Sequence, residues 1–178
     1  QRAYITVLIA DLANFTQLTN TMPLEEAAQM TRDVLESLSA PIWDTRGTLD
    51  KYLGDGVLAF WGAPLADAEQ TQHALMAAEK MLDNVVTLNA TKQYPPLQVR
   101  IGIATGSALV GDLGTRKRST YSAIGDCVNL ASRLEGLASQ LHKSILLCPE
   151  TARRLNSARV TALGDFTLKG LGQISVHT

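Results

Sequence analysis

The chain has 178 residues, of which 46% are hydrophobic and 19% are charged, and its formal net charge is −1 at pH 7. This length predicts a single domain over residues 1–178, and the composition is that of a globular protein rather than a disordered one. A nearly neutral chain has no overall field that would draw it to nucleic acid or acidic lipid, so we expect neither nucleic acid nor direct membrane contact.

The cysteines and the chain start bear on where the protein works. Cys127 and Cys148 lie outside any CxxC pair, which predicts two buried free thiols in a reducing compartment. No apolar run reaches the ~18 residues that a membrane span requires, and no signal peptide is visible. We therefore expect a cytoplasmic location. Because the chain begins at Gln1 rather than Met, we expect a fragment of a larger protein, which can carry a membrane anchor and an upstream regulatory domain.

The first half of the chain predicts a strand, a helix and a hairpin, in that order. The run from Ala3 to Ala10 is nearly all apolar and rich in β-branched residues, which is typical of a buried strand. From Leu24 onwards apolar residues recur at helical spacing, after a proline and with two glutamates in the first turn. Leu49–Leu53 and Val57–Trp61 then flank Gly54-Asp55-Gly56, a pattern typical of a β-hairpin.

The second half of the chain predicts further helices and strands. A helix with an apolar stripe from Ala74 to Val85 is expected after Asp67, which can cap it. A half-buried strand from Leu97 is expected to turn at Gly106 and to pair with Ser107–Gly111. The other predicted elements are a helix over Asp126–Leu141, a strand over Ser144–Cys148, a short helix over Thr151–Leu155, and strands over Val160–Leu168 and Ile174–His177.

The order of these elements predicts the fold class. A β-α-β-β-α-β order, with an appended helix and strands, is that of an α+β protein with a ferredoxin-like split βαβ core. We expect a mainly antiparallel sheet with helices on one face. The fold alone implies no function.

Two aspartates follow apolar strand sequence. Asp11 ends the first strand, and Asp55 lies at the tip of the hairpin. Since the first and third elements of a split βαβ fold are neighbours, the two carboxylates can converge. Carboxylates brought together repel and desolvate each other, and a divalent cation relieves both costs. Each residue taken singly also fits an ordinary turn or helix-approach aspartate.

Three further sets of polar residues fit either a surface role or the binding of phosphate. Asn14-Phe15-Thr16 follows the first strand and offers either helix capping or backbone N–H groups for phosphate oxygens. Asn129 and Arg133, spaced i, i+4 on a predicted helix, form either a solvated face or a clamp for negative charge on phosphate. Lys51 and Lys169, taken alone, are typical of surface lysines.

Four sequence blocks, which lie between Thr6 and Glu135, belong to a match that runs over nearly the whole chain, from Tyr4 to about His177. They are TVLIADLANFT, LDKYLGDGVLAFWGAP, RIGIATGSALVGDLG and YSAIGDCVNLASRLE. In this order they resemble the successive signature blocks of the class III adenylyl/guanylyl cyclase catalytic domain. Four linked blocks are far more specific than any single motif.

The resemblance implies a role for each candidate residue. Asp11 and Asp55 match the two metal-binding aspartates, with the backbone carbonyl of Leu12 as a further ligand. Lys51 matches the purine-reading residue, which is lysine in adenylyl cyclases and glutamate in guanylyl cyclases, and Ser122 falls at the position of its partner. The remaining implied contacts are Asn129 to the ribose, Arg133 to the transition-state phosphate and Lys169 to the terminal phosphates. Asn14, Phe15 and Thr16 form the implied loop that binds phosphate.

The hydroxyl of Ser122, together with the KYLGDG and FWGAP strings, resembles the IIIb subclass that includes many bacterial adenylyl cyclases. Two positions depart from the family pattern. Ser122 replaces the more usual Thr or Asp, which is expected to loosen the selection of adenine. Asn14 stands where a glycine is common, a change in the phosphate loop that alters no catalytic side chain.

The function implied by the resemblance is the conversion of ATP to 3′,5′-cyclic AMP and pyrophosphate. It implies Mg²⁺ or Mn²⁺, two ions per site, and a homodimer in which each site combines the metal aspartates of one chain with the other contacts from its partner. One alternative is a guanylyl cyclase, against which Lys51 argues because lysine donates where guanine needs an acceptor. Another is a catalytically silent cyclase-like domain for dimerisation or regulation, which typically lacks a metal aspartate or the Asn/Arg pair.

Overall fold

The computed structural model describes all 178 residues, Gln1–Thr178. The strands are β1 Arg2–Leu12, β2 Thr48–Tyr52, β3 Val57–Trp61, β4 Val99–Asp112, β5 Tyr121–Ile124, β6 Ile145–Leu147, β7 Ala162–Leu168 and β8 Gly172–His177. The helices are α1 Phe15–Asn20, α2 Leu24–Asp44, α3 Gln70–Ala90, α4 Asp126–Leu141 and α5 Pro149–Arg154, with a 3-10 turn at Ser157–Arg159. No helix is both long and apolar enough to cross a bilayer.

The strands form one sheet in the order β2-β3-β1-β4-β6-β8-β7, with β5 paired to β4. Strand β1 lies at its centre and pairs antiparallel with β4 from Arg2↔Leu109 to Leu12↔Val99, and with β3 on its other side. Only β4 and β6 run parallel. The β7–β8 hairpin joins the rest of the sheet at the single pair Leu147↔His177. The predicted α+β fold with a mainly antiparallel sheet and a β-α-β-β-α-β core is therefore confirmed.

Helices cover both faces of the sheet, which corrects the expectation of one covered face. Leu8 and Ile103 face α2 and α3, as predicted for the two core helices. Val7 and Ala104, which alternate with them along the strands, face α4 on the opposite side. The physical reason lies in β1 itself. The four successive residues Val7–Ala10 are all apolar, so both faces of the strand have to be removed from water.

The predicted turn at Gly106 is wrong, because β4 continues through it to Asp112 as one strand. Gly106 pairs with Ile5 of β1, and a Cβ at this position would lie 3.3 Å from the Cβ of Cys127. The glycine thus serves the close approach of α4 to the sheet, a common use of glycine inside a strand. The hairpin partner of β4 is β5, which the sequence analysis did not predict.

Asp67 does not cap α3 in the expected way. The helix begins at Gln70, and no side chain caps its first turn. Asp67 accepts a 2.9 Å hydrogen bond from the N–H of Glu69 and lies 2.6 Å from Nδ1 of His73, so it orders the turn before the helix. The prediction of two buried free cysteines, Cys127 and Cys148, is confirmed.

Candidate functional site

The fold brings Asp11 and Asp55 to the same end of the sheet. Asp11 is the penultimate residue of β1, and Asp55 lies in the turn between β2 and β3. Since Ala10 pairs with Val57, the turn that carries Asp55 lies directly beside Asp11. Gly56 permits this approach, because a Cβ there would lie 2.3 Å from the carbonyl oxygen of Ala10 and 2.7 Å from the Cβ of Asp11.

The surroundings of Asp55 disfavour its charge. The pKa of Asp55 is raised above its ordinary value, first because the carboxyl is partly buried and second because Asp11 is negatively charged. Hydrogen bonds from its own backbone N–H and from that of Leu12 act in the opposite direction. A partly desolvated pair of carboxylates with unrelieved repulsion is the setting in which a divalent cation stabilises both.

A third carboxyl, Glu135 on α4, faces the same point and was missed by the sequence analysis. Burial raises the pKa of Glu135 far above its usual range, and the neighbouring Asp11 and Asp55 raise it further, while Arg100 lowers it. The local sequence gives no clear signal for it. Glu135 directly follows the buried Leu134 on α4, but Arg133 on the other side of Leu134 is exposed.

The donor chemistry of this site fits a hard divalent cation. Carboxylate oxygens are the ligands that Mg²⁺ and Mn²⁺ prefer, and Mg²⁺ in particular is usually held by one or two carboxylates plus the phosphates of a substrate. No group of three or more His, Cys, Asp or Glu side chains has the geometry of a complete metal site. Asp11 and Asp55 therefore suit a cation that completes its ligand shell with a phosphorylated substrate and water.

Asn129, Arg133 and Lys169 come together in one open cleft of about 330 Å³. Asn129 and Arg133 lie one turn apart on α4, and Lys169 follows β7 in the tight turn before β8. All three side chains are exposed. The cleft is lined by Asn129, Ser132, Arg133, Lys169, Gly170 and Leu171. The positively charged side chains of Arg133 and Lys169, together with the amide of Asn129, are suited to binding an anion such as a phosphate chain.

The cleft and the carboxylates lie on opposite flanks of α4. Leu134 points into the core, and successive residues of a helix are about 100° apart, so Arg133 and Glu135 project to either side of it. Glu135 faces Asp11 and Asp55, whereas Arg133 lines the cleft with Lys169. Within one chain, the cleft residues Asn129, Arg133 and Lys169 therefore point away from the candidate metal-binding residues.

Lys51 and Ser122 are brought near each other through Asp50, a residue that the sequence analysis did not single out. The carboxylate of Asp50 accepts hydrogen bonds of 2.9 and 2.7 Å from the hydroxyl of Ser122, and lies 3.8 Å from Nζ of Lys51. The Lys51 side chain is 51% exposed, while that of Asp50 is fully buried. An acid next to a lysine within a predicted strand was the available signal.

The Asn14-Phe15-Thr16 segment lies directly after β1, next to the aspartate pair. Asn14 has φ 59°, in the left-handed region that favours glycine, which accounts for the glycine common at this position in the family. Phe15 packs against the core between the sheet and helices α2 and α3, and Thr16 is exposed. Thr16 and the exposed Asn14 are thus the members of this segment available to a ligand.

The sequence and the fold both match known proteins. The family described as the adenylate and guanylate cyclase catalytic domain matches residues 1–178. Adenylate cyclase 1 of Rhizobium meliloti (strain 1021) is 34% identical over 148 residues, which cover 82% of this chain. The chain spans only 22% of the length of that relative.

Two solved structures resemble the fold closely. The adenylyl cyclase CyaB from P. aeruginosa has a TM-score of 0.89 and 28% identity, over 99% of this chain and 93% of that one. The guanylyl cyclase Cya2 has a TM-score of 0.88 and 27% identity, over 99% of this chain and 91% of that one. The backbone therefore matches an adenylyl and a guanylyl cyclase almost equally well, and any preference between purines has to be sought in side chains.

Proposed function

Because this chain belongs to the adenylate and guanylate cyclase catalytic domain family, we propose that residues 1–178 form one catalytic domain that converts ATP to 3′,5′-cyclic AMP and pyrophosphate. The observation that carries the proposal is the facing pair Asp11 and Asp55, a partly desolvated carboxylate pair at the end of the central strands. In this pair, burial and repulsion both oppose the charge of Asp55. A domain without catalysis has no evident use for such a pair.

Asp11 and Asp55 would hold two Mg²⁺ or Mn²⁺ ions, with the backbone carbonyl of Leu12 as a further ligand. When bound, such ions lower the pKa of the attacking 3′-hydroxyl and neutralise charge on the triphosphate. Asn14 and Thr16 lie beside the pair, where they would contact the phosphates, while Phe15 anchors their loop to the core.

The cleft residues supply the remaining contacts. Asn129 would orient the ribose so that its 3′-oxygen lies in line with the α-phosphate. Arg133, with a fixed planar set of donors, would bind the α-phosphate as negative charge develops on it, and Lys169 would bind the terminal phosphates. Support comes from the cleft itself, since these three residues line one exposed polar surface of a size suited to part of a nucleotide.

Each active site would combine two chains of a homodimer. The opposite placement of Arg133 and Glu135 on α4 supports this arrangement, because the cleft of one chain points away from its own aspartates. A two-fold symmetric dimer can bring the cleft of one chain to the aspartates of its partner, and the symmetry then creates two equivalent sites. The partner of this domain is accordingly a second copy of the same chain.

Adenine rather than guanine is the base favoured by the side chains at the purine edge. Lys51 is half exposed and carries only donors, which suits the acceptor N1 of adenine and opposes the N1–H of guanine. The similarity to both CyaB and Cya2 keeps a guanylyl cyclase as the second candidate. A silent domain is disfavoured, because both aspartates and the Asn129/Arg133 pair are present.

Turnover of ATP and GTP by the purified protein, each with Mg²⁺ or Mn²⁺, tests the proposal. We expect cyclic AMP from ATP, little cyclic GMP from GTP, and no product after chelation of the metal. The Arg133→Ala variant, which alters an exposed residue, serves as the inactive control. Predominant formation of cyclic GMP would establish the guanylyl cyclase instead, and absence of both products from a folded dimer would establish a silent domain.

A further inference from the structure

A fully buried carboxylate lies behind the proposed purine edge. Asp50 belongs to β2, where the pairing with β3 shifts between Leu49 and Lys51, so Asp50 is the extra residue of a β-bulge. A bulge redirects the side chain at its extra position. Here it turns the Asp50 side chain inward, where none of it is exposed, while Lys51 remains half exposed.

Asp50 connects two segments that are not neighbours in the sheet. Strand β2 lies at one edge, whereas β5 pairs only with β4. Asp50 accepts hydrogen bonds from the hydroxyl of Ser122 at 2.9 and 2.7 Å and from the backbone N–H of Ala123 at 3.2 Å. The rings of Phe60 on β3 and Tyr121 on β5 also lie close to each other, with centroids 6.1 Å apart. Asp50 thereby fixes the position of Ser122 relative to Lys51.

The hydrogen bond to Asp50 also determines whether Ser122 donates to another group or accepts from it. A carboxylate accepts and does not donate, so the single proton of the Ser122 hydroxyl is directed at Asp50. The hydroxyl oxygen can then only accept from any other group. Ser122 is 5% exposed and has little room to turn, and redirecting its proton would leave a buried carboxylate short of a donor.

We propose that Asp50 is a positioning residue that sets purine preference by holding Ser122 as an obligatory hydrogen-bond acceptor. Adenine presents a 6-amino donor, which an acceptor binds, whereas guanine presents a 6-oxo acceptor, which it repels. Ser122 thus selects for 6-amino purines even though a free hydroxyl could bind either base. This inference rests on the proposed function, in which Lys51 and Ser122 lie at the purine edge.

The Asp50→Asn variant reverses this arrangement with almost no change in shape. The N–H of Ala123 requires an acceptor, so the amide oxygen stays toward Ala123 and the amide N–H₂ group turns to Ser122. The Ser122 proton is then released and can be donated to a 6-oxo group. We expect the ratio of kcat/KM for ATP over GTP to fall about tenfold, which is the range of a single hydrogen-bond discrimination.

A matched control and a second background separate positioning from mere structural support. Asp112 also accepts bonds from a serine and from backbone N–H groups, but at the exposed end of β4, just before the loop that leads to β5. Asp112→Asn should leave the ATP/GTP ratio unchanged. In a Ser122→Ala background Asp50→Asn should change the ratio less than about twofold, because the residue through which Asp50 acts is absent.

Two results would overturn the proposal: an equal loss of kcat/KM for both nucleotides in Asp50→Asn, or an undiminished change of ratio in the Ser122→Ala background. Should Asp50→Asn fail to fold, ITP provides the test, since it has the 6-oxo group without the 2-amino group. Because Lys51 also opposes the N1–H of ITP, the comparison is made in the Lys51→Ala variant. ITP should still be rejected relative to ATP there, and ITP used as well as ATP would contradict the acceptor role.

The wild-type preference between ATP and GTP tests the proposed function, whereas the change in preference tests the role of Asp50. Dissociation constants for ATP and GTP, measured by titration calorimetry on the same variants, make the second test independent of turnover. A wild-type protein without cyclase activity would refute the proposed function, and the same shift in binding preference would still support Asp50 as the positioning residue.

Discussion

The backbone N–H of Leu12 donates a 3.1 Å hydrogen bond to Oδ2 of Asp55. This bond joins the end of the central strand to the tip of the β2–β3 turn, and it holds Asp55 beside Asp11 before any cation binds. Part of the organisation of the candidate metal site is therefore built into the backbone of β1. The same bond stabilises a carboxylate that burial and Asp11 destabilise.

Asp55→Asn should abolish turnover without weakening the fold. Because the pKa of Asp55 is raised from its ordinary value of 3.8, the folded state loses stability as the pH rises through the folded pKa and the carboxyl ionises. An uncharged amide avoids this loss. We expect an activity decrease of at least ~10²-fold, together with an unchanged or higher free energy of unfolding at neutral pH in EDTA.

Thermal unfolding with and without Mg²⁺ or Mn²⁺ provides the control for that experiment. Added metal should raise the melting temperature of the wild-type protein and have little effect on the variant, since ligand binding stabilises only the state that binds. More than about a tenth of wild-type activity in Asp55→Asn would contradict a metal-binding role, because even one lost oxyanion-type contact costs ~10²-fold or more.

Lys51→Glu should weaken the use of ATP and permit some use of GTP, most visibly when combined with Ser122→Cys. A carboxylate accepts from the N1–H and 2-amino group of guanine, and the thiol is a weaker acceptor than the hydroxyl it replaces. An unmatched buried polar group costs ~1–3 kcal/mol, which corresponds to roughly a five- to 150-fold change in preference. An unchanged ratio in the double variant would exclude Lys51 from the purine site.

Two inactive variants should restore activity when their chains are mixed. Asp55→Ala removes a proposed metal ligand and Arg133→Ala removes a phosphate contact, and in a shared-site dimer the mixed pair has one site with both changes and one with neither. Random exchange makes about half of the dimers mixed, so roughly a quarter of wild-type activity should return. No recovery in a preparation of confirmed mixed dimers would mean that each chain builds its own site.

The stability contributed by Cys127 should decline in alkaline solution. Burial raises the pKa of this thiol from 9.0 to about 11, and the charges of Cys148 and Asp126 add to the effect. A raised pKa means that the contribution is fully present below pH 9 and is lost as the pH rises toward 11. The difference in free energy of unfolding between wild type and Cys127→Ala, measured from pH 8 upward, should therefore shrink as pH increases.

The parts of the structure that depend on contiguous sequence could be predicted. The apolar run of β1, the glycine-flanked turn at Asp55 and the bounds of α4 each follow from local pattern, and the predictions for them are confirmed. The prediction of a turn at Gly106 is wrong. A glycine can allow either close packing or a chain reversal, and the local sequence does not distinguish these two uses. Only the position of Cys127 across the sheet distinguishes the two uses.

The site residues that were missed share a dependence on distant parts of the chain. Asp50 acquires its surroundings from a bulge and from a serine 72 positions later, and nothing near it in sequence indicates either. Glu135 is a partly desolvated acid only because α4 lies on the face of the sheet to which Asp11 of β1 points. A periodicity of 3.6 residues in a helix, or of 2 in a strand, shows which residues share a face. It does not identify the residues against which that face packs.

The attachment of the β7–β8 hairpin has a consequence for how Lys169 is held. One residue pair, Leu147 with His177, joins this hairpin to its neighbour, although Leu168 and Val176 are buried against the core. Segments with so few backbone bonds to the rest of a protein open without global unfolding. Amide protons of the hairpin should thus exchange with deuterium well before those of β1 and β4, and bound ATP should slow them. Lys169 therefore lies in a segment that can open locally. Binding of the terminal phosphates to Lys169 would make the hairpin more rigid, and a more rigid hairpin would favour that binding.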